Sequence, residues 1–534
     1  MQESNRTITT QFGCYKSGDL RQILAILHTH SFSILIAENL QRMDESKEQK
    51  ETECQNELNY SNFNMERLNS LFESVENIIK SVENAEKMLK QQKIAVGECF
   101  FQYNLIRTTE RTREAEIRRS NEIFDFIAAF EMGQNKKEKI TKIKNKIDAL
   151  IAEWAAKHNA NIKMLFNGSF LFGAELDGSD LDLICVISDR INAHNFYGQS
   201  DDESSLYSVL KKKLNKVGRV SSIAGRVRLL RIELSTVEID LSLVPVPDKY
   251  LNENGIGDLL QDEIIGQIKN ESGIYSLAGY RSAHFQLSLL SERHKEFANL
   301  LKTIKIWAKT RLIYSGIFGY FNGVTLAIMA TKILLTPITM NPIVSRWPPL
   351  IGQSVMTVIT PKFPEQNASF NVNKFTLRTI LEELAIANEI LSEDQKNWKA
   401  IFEEIKFEQK FELFALIVCS ASHFENFTTN CAFQRSKIRT NLLKWANSAN
   451  VADKLVRYQL IAQAEKKKRC QIIAGHSAFC FHWLVGIQLN AQHSKTNDFG
   501  DLVPIYGHNS ANPAVLKEFV MCSFYSRTEK LNKL

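Results

Sequence analysis

The sequence predicts a protein of about three domains, in which an α/β domain is followed by a helical domain and a second α/β domain. At 534 residues the chain is too long for one hydrophobic core. Residues 180–187 and 237–244 carry apolar side chains at every second position, which is the period of a strand. Helical patterns dominate residues 257–335, and strand and helix patterns alternate after them.

The first 135 residues are rich in Glu, Asn, Gln and Ser and show no clear strand pattern. Between Leu68 and Leu89 apolar residues recur at alternating steps of three and four, which predicts an amphipathic helix. Because the pattern spans only about three heptads, a helix packed on its own protein is favoured over a dimerising coiled coil. A second amphipathic helix is predicted from about Lys137 to Trp154, directly before the α/β domain.

Two aspartates, Asp180 and Asp182, open the first predicted strand. Because side chains alternate along a strand, both carboxylates lie on one face, about 7 Å apart. Asp-x-Asp alone is also common in turns and calcium loops, but here a Gly-Ser pair, Gly168-Ser169, precedes it. A glycine lets a phosphate approach the backbone, and the N–H groups of a following helix can hold it. The order of the two elements predicts metal-dependent transfer of a nucleotide.

A third carboxylate, Asp240, lies on the second predicted strand, where Glu238, Asp240 and Ser242 share one face. Three neighbouring carboxylates repel one another unless a cation offsets their charge. Oxygen ligands suit Mg²⁺, and two such ions can activate a hydroxyl and neutralise a leaving pyrophosphate. We therefore predict that Asp180, Asp182 and Asp240 are catalytic and hold two Mg²⁺ or Mn²⁺ ions.

The rest of the chain divides at Pro245, Pro247 and the 252–257 turn, and again at a proline-rich loop over residues 336–349. Beyond that loop we predict an extended segment at 355–372, a helix at 374–391, a buried strand at 411–422, an exposed basic helix at 435–446 and a last strand at 479–488.

Basic residues concentrate near the C-terminus. Residues 435–469 contain ten basic and two acidic side chains, a local excess of +8 against +6 for the whole chain. A polyanion such as RNA needs a surface of this kind, although a solvated face has the same composition. Lys466, Lys467, Lys468 and Arg469 are the candidate RNA contacts, and they also fit a short nuclear import signal.

Composition points to a soluble globular protein, with 44% hydrophobic and 24% charged residues. The longest apolar candidate, residues 23–37, is interrupted by polar side chains, so we expect no membrane span. The nine cysteines show no metal-ligand spacing, and Cys185 falls inside the first predicted strand, so we expect reduced thiols inside a cell.

Several blocks, in order, resemble the nuclear poly(A) polymerases of eukaryotes, which belong to the DNA polymerase β-like nucleotidyltransferases. The resemblance covers roughly residues 136–490. Its blocks are Gly168-Ser169 through Asp180-x-Asp182, residues 237–240, Lys305-Ile306-Trp307-Ala308-Lys309, Ile313-Tyr314-Ser315, residues 318–324, residues 359–367 and Phe370-Asn371-Val372.

The resemblance implies a nucleotidyltransferase catalytic domain on a mixed sheet at 136–250, a helical middle domain that binds nucleotide at 251–354, and a ferredoxin-like α/β RNA-binding domain at 355–534. Residues 1–135 are then a divergent helical extension. The implied activity is template-independent addition of AMP from ATP to RNA 3′ ends. We expect a nuclear monomer that associates with mRNA cleavage and polyadenylation factors.

The resemblance also implies roles for individual residues. Asp180 and Asp182 would hold both metal ions, and Asp240 would help to activate the RNA 3′-hydroxyl. Seven residues would bind ATP, through phosphate, ring or close backbone contact: Asn167, Gly168, Ser169, Lys305, Tyr314, Gly323 and Val324. From the residues alone, Lys305 could equally lie on an exposed helix face and Tyr314 could be a half-buried core ring.

Four positions depart from the family. Asn167 stands where a Phe is usual, Ala278 and Gly316 stand where Asn is expected, and Leu176 stands where Thr is usual. Each change removes a ring or a hydrogen-bonding side chain worth about 0.5–1.5 kcal/mol. Two alternatives therefore stay open: a terminal nucleotidyltransferase with another base choice, such as uridine, and an RNA-binding pseudoenzyme.

Overall fold

A computed structural model of the chain describes residues 110–198, 202–234, 237–251, 255–335, 354–393, 395–411, 413–421, 424–461, 469–473, 476–490 and 518–526. The predicted helix at 68–89 and the predicted loop at 336–349 lie outside these ranges. The chain divides into a unit of residues 37–122 and a unit that holds the remainder. Both sheets and the candidate site belong to the second unit.

Five helices belong to the first half of the described chain: α1 (Glu110–Ala128), α2 (Gln134–Lys157), α3 (Gly168–Leu171), α4 (Ala193–Tyr197) and α5 (Leu206–Leu214). α2 is the helix predicted from Lys137 to Trp154. Its apolar stripe is buried, with Ile147 and Ile151 wholly inaccessible to solvent. The stripe therefore fixes α2 against the first sheet.

The first sheet has five strands: β1 (Ile162–Phe166), β2 (Leu181–Ser188), β3 (Gly218–Ile223), β4 (Leu229–Leu234) and β5 (Val237–Val246). They are arranged in the order β1-β2-β5-β4-β3. β2 and β5 run parallel, and the other neighbouring pairs are antiparallel. The mixed sheet of the prediction is confirmed. Because β2 and β5 are parallel neighbours, the starts of the two carboxylate-bearing strands meet at one edge.

The two faces of this sheet have different partners. Leu183, Cys185 and Leu241 pack in one core with α2, α4 and α5. On the other face, Ile184 and Val244 pack against α6 (Gly255–Leu259) and α7 (Glu271–Leu290). By strand alternation, Asp182 and Asp240 belong to the face that α7 covers.

Helices dominate the middle of the chain, as predicted, with α8 (His294–Thr310) and α9 (Gly323–Leu335) following α7. α8 and α9 pack together and share one hydrophobic core with α10 (Lys374–Glu393) and the second sheet. A short turn of 3₁₀ helix, Gly316–Phe318, separates α8 from α9.

The segment predicted to be extended, residues 355–372, forms no strand. It contains a single bridge between Ile359 and Asn367 and a turn at 368–371, and it otherwise consists of bends and irregular backbone. Side chains replace the strand ladder, because the Asn367 amide and the Ser369 hydroxyl both donate to the carbonyl of Met356. Local side-chain bonds of this type compete with regular pairing.

The C-terminal part contains a second sheet. Its strands are β6 (Leu413–Ala421), β7 (Leu455–Leu460), β8 (Arg469–Ile473), β9 (His476–Leu489) and β10 (Glu518–Ser526), with helices α11 (Phe407–Lys410), α12 (Phe424–Ala446) and α13 (Ala449–Ala452). The order is β10-β6-β9-β7, with β8 paired to β9, and every pair is antiparallel. The strands predicted at 411–422 and 479–488 are confirmed as β6 and β9, but β9 is followed by β10.

Two details of this region refine the sequence analysis. The basic helix predicted at 435–446 is the end of α12, and it is not wholly exposed because Ile438, Leu442 and Trp445 are buried. The order of β6, β7, β9 and β10 is that of a ferredoxin-like sheet. The connection from β9 to β10 lies outside the described residues, so the ferredoxin-like domain stays a prediction. None of the described helices is both long and apolar enough to span a bilayer.

Candidate active site

The carboxylates of Asp182 and Asp240 lie on neighbouring strands at the same level. Asp182 of β2 is directly opposite Asp240 of β5 in the parallel register, and Asp180 immediately precedes β2. Asp182 and Asp240 are partly buried, and Asp180 lies at the exposed edge. The structure thus brings the three predicted metal ligands to one corner of the sheet.

The Gly-Ser turn packs against this corner. The N–H of Asn167 donates to the carbonyl of Asp182 at 2.9 Å, and α3 begins at Gly168. Gly168 has a φ of +57°, and a Cβ atom at this position would overlap Oδ2 of Asp182. Only glycine combines this backbone angle with this close approach. The turn and the first carboxylate pair therefore form one structural element.

Burial and mutual repulsion make the carboxylates hard to ionise together. Loss of hydration, followed by the charges of Asp240 and Asp180, raises the pKa of Asp182 to about 7. The pKa of Asp180 is raised in the same way, first by desolvation and then by Asp240. Such a cluster is a place where a cation would gain free energy.

Arg231 is a site residue that the sequence analysis missed. It lies on β4 opposite Asp240. Its guanidinium donates two hydrogen bonds to that carboxylate, from Nε to Oδ1 at 2.8 Å and from Nη2 to Oδ2 at 2.7 Å. β4 carries a strand signal, since Leu230, Ile232 and Leu234 alternate with exposed or polar positions. That signal would have placed Arg231 on the carboxylate face, although not opposite Asp240.

Lys305 reaches the Gly-Ser turn from the helical region. It lies on α8, is only 5% exposed, and its Nζ donates to the carbonyl of Ala174 at 3.2 Å. Desolvation and, to a smaller extent, the nearby charge of Lys309 lower the pKa of Lys305 to about 8, against the opposing effect of Asp182. The exposed-face alternative for Lys305 is thus wrong.

Tyr314, Gly323 and Val324 line the same corner from the end of α8 and the start of α9. Burial raises the pKa of Tyr314 to about 12, with smaller contributions from Asp182 and Asp180. A Cβ at Gly323 would stand 3.4 Å from the Tyr314 hydroxyl, so Gly323 lies directly beside that hydroxyl. Val324 is 45% exposed, an unusual state for a valine on a helix of this core.

The blocks around this corner match known proteins. The family model of the poly(A) polymerase central domain matches residues 296–347, which include Lys305, Tyr314, Gly323 and Val324. Nuclear poly(A) polymerase 1 of Arabidopsis thaliana is 26% identical over 328 residues, which are 54% of this chain and 44% of that protein. The chain is distantly similar to nuclear poly(A) polymerases, and the match to the family model is confined to the central-domain residues.

Other relatives belong to the same poly(A) polymerase family. Poly(A) polymerase PAPalpha of Candida albicans is 25% identical over 57% of this chain and 59% of its own length. The poly(A) polymerase of Dictyostelium discoideum is 25% identical over 60% of this chain and 44% of its own. The chain therefore spans about half the length of the curated relatives that it matches.

Solved structures give a partial likeness. The Cid1 poly(U) polymerase bound to MgGTP matches 53% of this chain and 98% of its own at a TM-score of 0.35, with 12% identity. A cytoplasmic RNA terminal U-transferase matches the same share of this chain at a TM-score of 0.34, also with 12% identity.

Three departures from the poly(A) polymerase pattern have structural counterparts. Leu176 and Ala278 are both buried, at 3% and 2% exposure. Gly316 faces the side chain of Asn322, and a Cβ at position 316 would stand 2.9 Å from that of Asn322. Asn322 itself donates to the carbonyl of Ala368 at 2.7 Å. An asparagine could enter position 316 only if residue 322 moved.

The three candidate ligands are all carboxylates. Their oxygen atoms are of the type that Mg²⁺ and Mn²⁺, the ions expected here, prefer. Among the described residues, however, no group of three or more acidic, histidine or cysteine side chains is already arranged as a metal site. The Asp182 carboxylate instead lies against Gly168, and both oxygens of Asp240 are bound by Arg231.

The candidate RNA contacts are only partly within the described chain. Lys466, Lys467 and Lys468 fall outside it, and Arg469 is the first residue of β8. Their role stays a prediction. Arg435, on α12, lies 6.0 Å from the centre of the Phe318 ring, and its charge opposes the rise in the pKa of Asp180.

Proposed function

We propose that the protein is a polynucleotide adenylyltransferase, which adds AMP from ATP to RNA 3′ ends without a template and releases pyrophosphate. One observation carries the proposal: Asp182, Asp240 and the Gly168 turn meet at a corner that Lys305 of the central-domain match also reaches. A nucleotidyltransferase needs this combination of carboxylates, a phosphate-binding turn and a cation. The matched relatives are poly(A) polymerases, which supports the choice of AMP.

In the proposed reaction the RNA 3′-oxygen attacks the α-phosphorus of ATP, and the bond from that phosphorus to the bridging oxygen breaks as pyrophosphate leaves. Mg²⁺ or Mn²⁺ ions held by Asp180, Asp182 and Asp240 would lower the pKa of the attacking hydroxyl and neutralise the leaving group. Asp240 would orient the hydroxyl and accept its proton as the new bond to phosphorus forms. The catalysis is therefore mainly positioning and charge stabilisation.

The remaining site residues bind the nucleotide in this proposal. The backbone of Asn167, Gly168 and Ser169 approaches the triphosphate, because the turn has no side chain at position 168 to prevent it. Lys305 places a desolvated positive charge at the phosphates. Tyr314 contributes its ring and hydroxyl, and the small Gly323 beside the exposed Val324 leaves room for the base.

The choice of base defines a second candidate. Ala278 is buried and Gly316 is crowded by Asn322, so neither position offers the amide that the family pattern expects. A terminal transferase that prefers uridine is thus the alternative enzyme. A pseudoenzyme that only binds RNA is the alternative outside enzymes, because Asp240 is already engaged by Arg231.

A primer-extension assay distinguishes the adenylyltransferase, the uridylyltransferase and the RNA-binding pseudoenzyme. Purified protein is incubated with a labelled oligo(A) primer and each NTP separately, with Mg²⁺ or Mn²⁺. We expect AMP incorporation that Asp182→Ala abolishes, while Asp189→Ala, an exposed aspartate just after β2, retains it. Preferential incorporation of UMP would show that the enzyme is a uridylyltransferase and not an adenylyltransferase. No incorporation with either metal would favour the RNA-binding pseudoenzyme.

The cellular setting follows the family in this proposal. We place the protein in the nucleus as a monomer that contacts RNA, ATP and cleavage and polyadenylation factors. We retain the domains at 136–250, 251–354 and 355–534, with residues 1–135 as an extension.

A further inference from the structure

Arg231 occupies both oxygens of a proposed metal ligand. The Nε and Nη2 atoms of its guanidinium lie 2.8 and 2.7 Å from the two oxygens of Asp240. The two residues are direct partners across the antiparallel β4–β5 pair, so backbone pairing holds the fork in place. A planar, bidentate contact of this type is among the strongest that a carboxylate makes.

A metal ion that binds Asp240 must compete with the Arg231 guanidinium for the carboxylate oxygens. Either the guanidinium leaves the carboxylate, or the metal ion binds an oxygen that already lies next to a positive charge. Both routes weaken metal binding, because like charges repel strongly where water is partly excluded. Asp240 and Arg231 side chains are 13% and 26% exposed, so the pair is shielded but Arg231 has a path to solvent.

Other acidic groups on the same face give the displaced guanidinium alternative partners. Glu233 lies two residues after Arg231 on β4, and Glu238 is opposite Glu233 on β5. Arg231 can therefore leave Asp240 without losing all electrostatic compensation. The arrangement differs in this from a buried structural ion pair, in which neither partner has a second contact within reach.

We infer that Arg231 is a positioning residue that competes with the metal ion for Asp240. In the metal-free protein it neutralises this carboxylate and keeps the strand edge ordered. When a divalent cation binds, Arg231 is displaced, so metal affinity is set by the competition and not by the carboxylates alone. The inference rests on the proposed function in one respect, which is that Asp240 is a metal ligand.

The test is Mn²⁺ binding to the full-length protein, without nucleotide or RNA, measured by electron paramagnetic resonance of free Mn²⁺. Arg231→Met keeps the length and apolar stem of the side chain but removes charge and fork. We expect this variant to bind Mn²⁺ about tenfold more tightly, the size of one charge-assisted hydrogen bond. Arg231→Lys, which keeps the charge without the fork, should show a smaller gain. Arg190→Met, which removes an exposed ion pair to Asp248, should show none.

A double-mutant cycle then locates the effect. If Arg231 acts through Asp240, the gain from Arg231→Met largely disappears in an Asp240→Asn background. Unchanged or weaker Mn²⁺ binding by Arg231→Met, with an unaltered thermal unfolding curve, would overturn the inference. So would the absence of any Mn²⁺ binding to wild type. If Arg231→Met is unfolded, Arg231→Lys takes its place in the test. Weaker Mn²⁺ binding by Arg231→Lys would then overturn the inference. Tighter binding without any AMP incorporation would retain Arg231 as competitor and reject the proposed activity.

Discussion

Gly168 lies directly against the carboxylate of Asp182, although fourteen positions separate them in the sequence. The contact joins the start of α3 to the start of β2. It makes the glycine part of the carboxylate site as well as part of the turn that we propose binds phosphate. A side chain at position 168 must therefore disturb both functions.

We expect Gly168→Ala to reduce primer extension by about 100-fold, because a displacement of about 1 Å in a catalytic group has that effect. Gly173→Ala is the matched control. Gly173 also has a left-handed φ, +63°, but a Cβ there meets no atom within 4 Å. Both variants should lose about 1 kcal/mol of stability from backbone strain. Equal loss of extension in the two variants would mean that the strain, not the contact with Asp182, is responsible.

The raised pKa of Asp182 predicts a pH-dependent stability. A carboxyl whose folded-state pKa is raised binds protons more tightly in the folded than in the unfolded chain. In metal-free protein the free energy of unfolding should therefore fall as pH rises from about 4 to the folded pKa of about 7. Asp182→Asn should remove most of this fall and be more stable than wild type at pH 8 by about 2 kcal/mol.

Urea unfolding in EDTA at several pH values measures this effect. Asp189→Asn, at the exposed end of the same strand, is the control and should keep the wild-type profile. A pH dependence that survives in Asp182→Asn would assign the stability change to another group.

Lys305 predicts a pH-dependent affinity for ATP. Its pKa is lowered to about 8, so its charge is present at pH 7 and is lost as pH rises through 8. If Lys305 holds phosphate, the Kd for ATP should increase between pH 7 and 9. Lys305→Arg, which stays charged, should flatten that dependence. Lys305→Met should bind ATP roughly tenfold more weakly at pH 7.

Lys295→Met is the matched control on α8, because Lys295 is exposed near the other end of the helix. Equilibrium binding of a fluorescent ATP analogue gives the constants without requiring turnover. An unchanged pH dependence in Lys305→Arg would remove Lys305 from the phosphate site.

The sequence predicts the part of the site that depends on the spacing of apolar residues along a single strand or helix. The alternation around Asp182 and Asp240 fixes the face of each carboxylate, and the amphipathic pattern of α2 fixes its buried stripe. Arg231 escaped because its contact depends on the register of β4 against β5, which is a tertiary property. The burial of Lys305 escaped for a related reason. An apolar pattern indicates which face of a helix is buried but not which lysine another domain will cover.

The basic residues from Lys466 to Arg469 predict a salt-dependent step in RNA binding. Replacing all four by Gln should weaken binding of a labelled oligo(A) primer and reduce the slope of log K against log salt by up to about 3. The control replaces Lys211, Lys212, Lys213 and Lys216 by Gln, four exposed lysines on or next to α5, which packs on the sheet face opposite the carboxylates. Equal slopes for the two variants would exclude the cluster from the RNA path.

The stability of the chain is expected to depend on the buried charge of Glu383, which links the helical region to the C-terminal part. Its side chain on α10 is 1% exposed and accepts from Nε of Arg311 and Nζ of Lys410, each at 2.7 Å. Arg311 caps the C-terminal end of α8, three residues before Tyr314. Glu383→Ala leaves two cations without their shared carboxylate, so we expect a loss of about 3–5 kcal/mol in the free energy of unfolding. Glu389→Ala, at an exposed position on the same helix, should change it by less than about 0.5 kcal/mol. Urea unfolding at pH 7 measures both, and a loss below about 1 kcal/mol for Glu383→Ala would show that the cations find other partners.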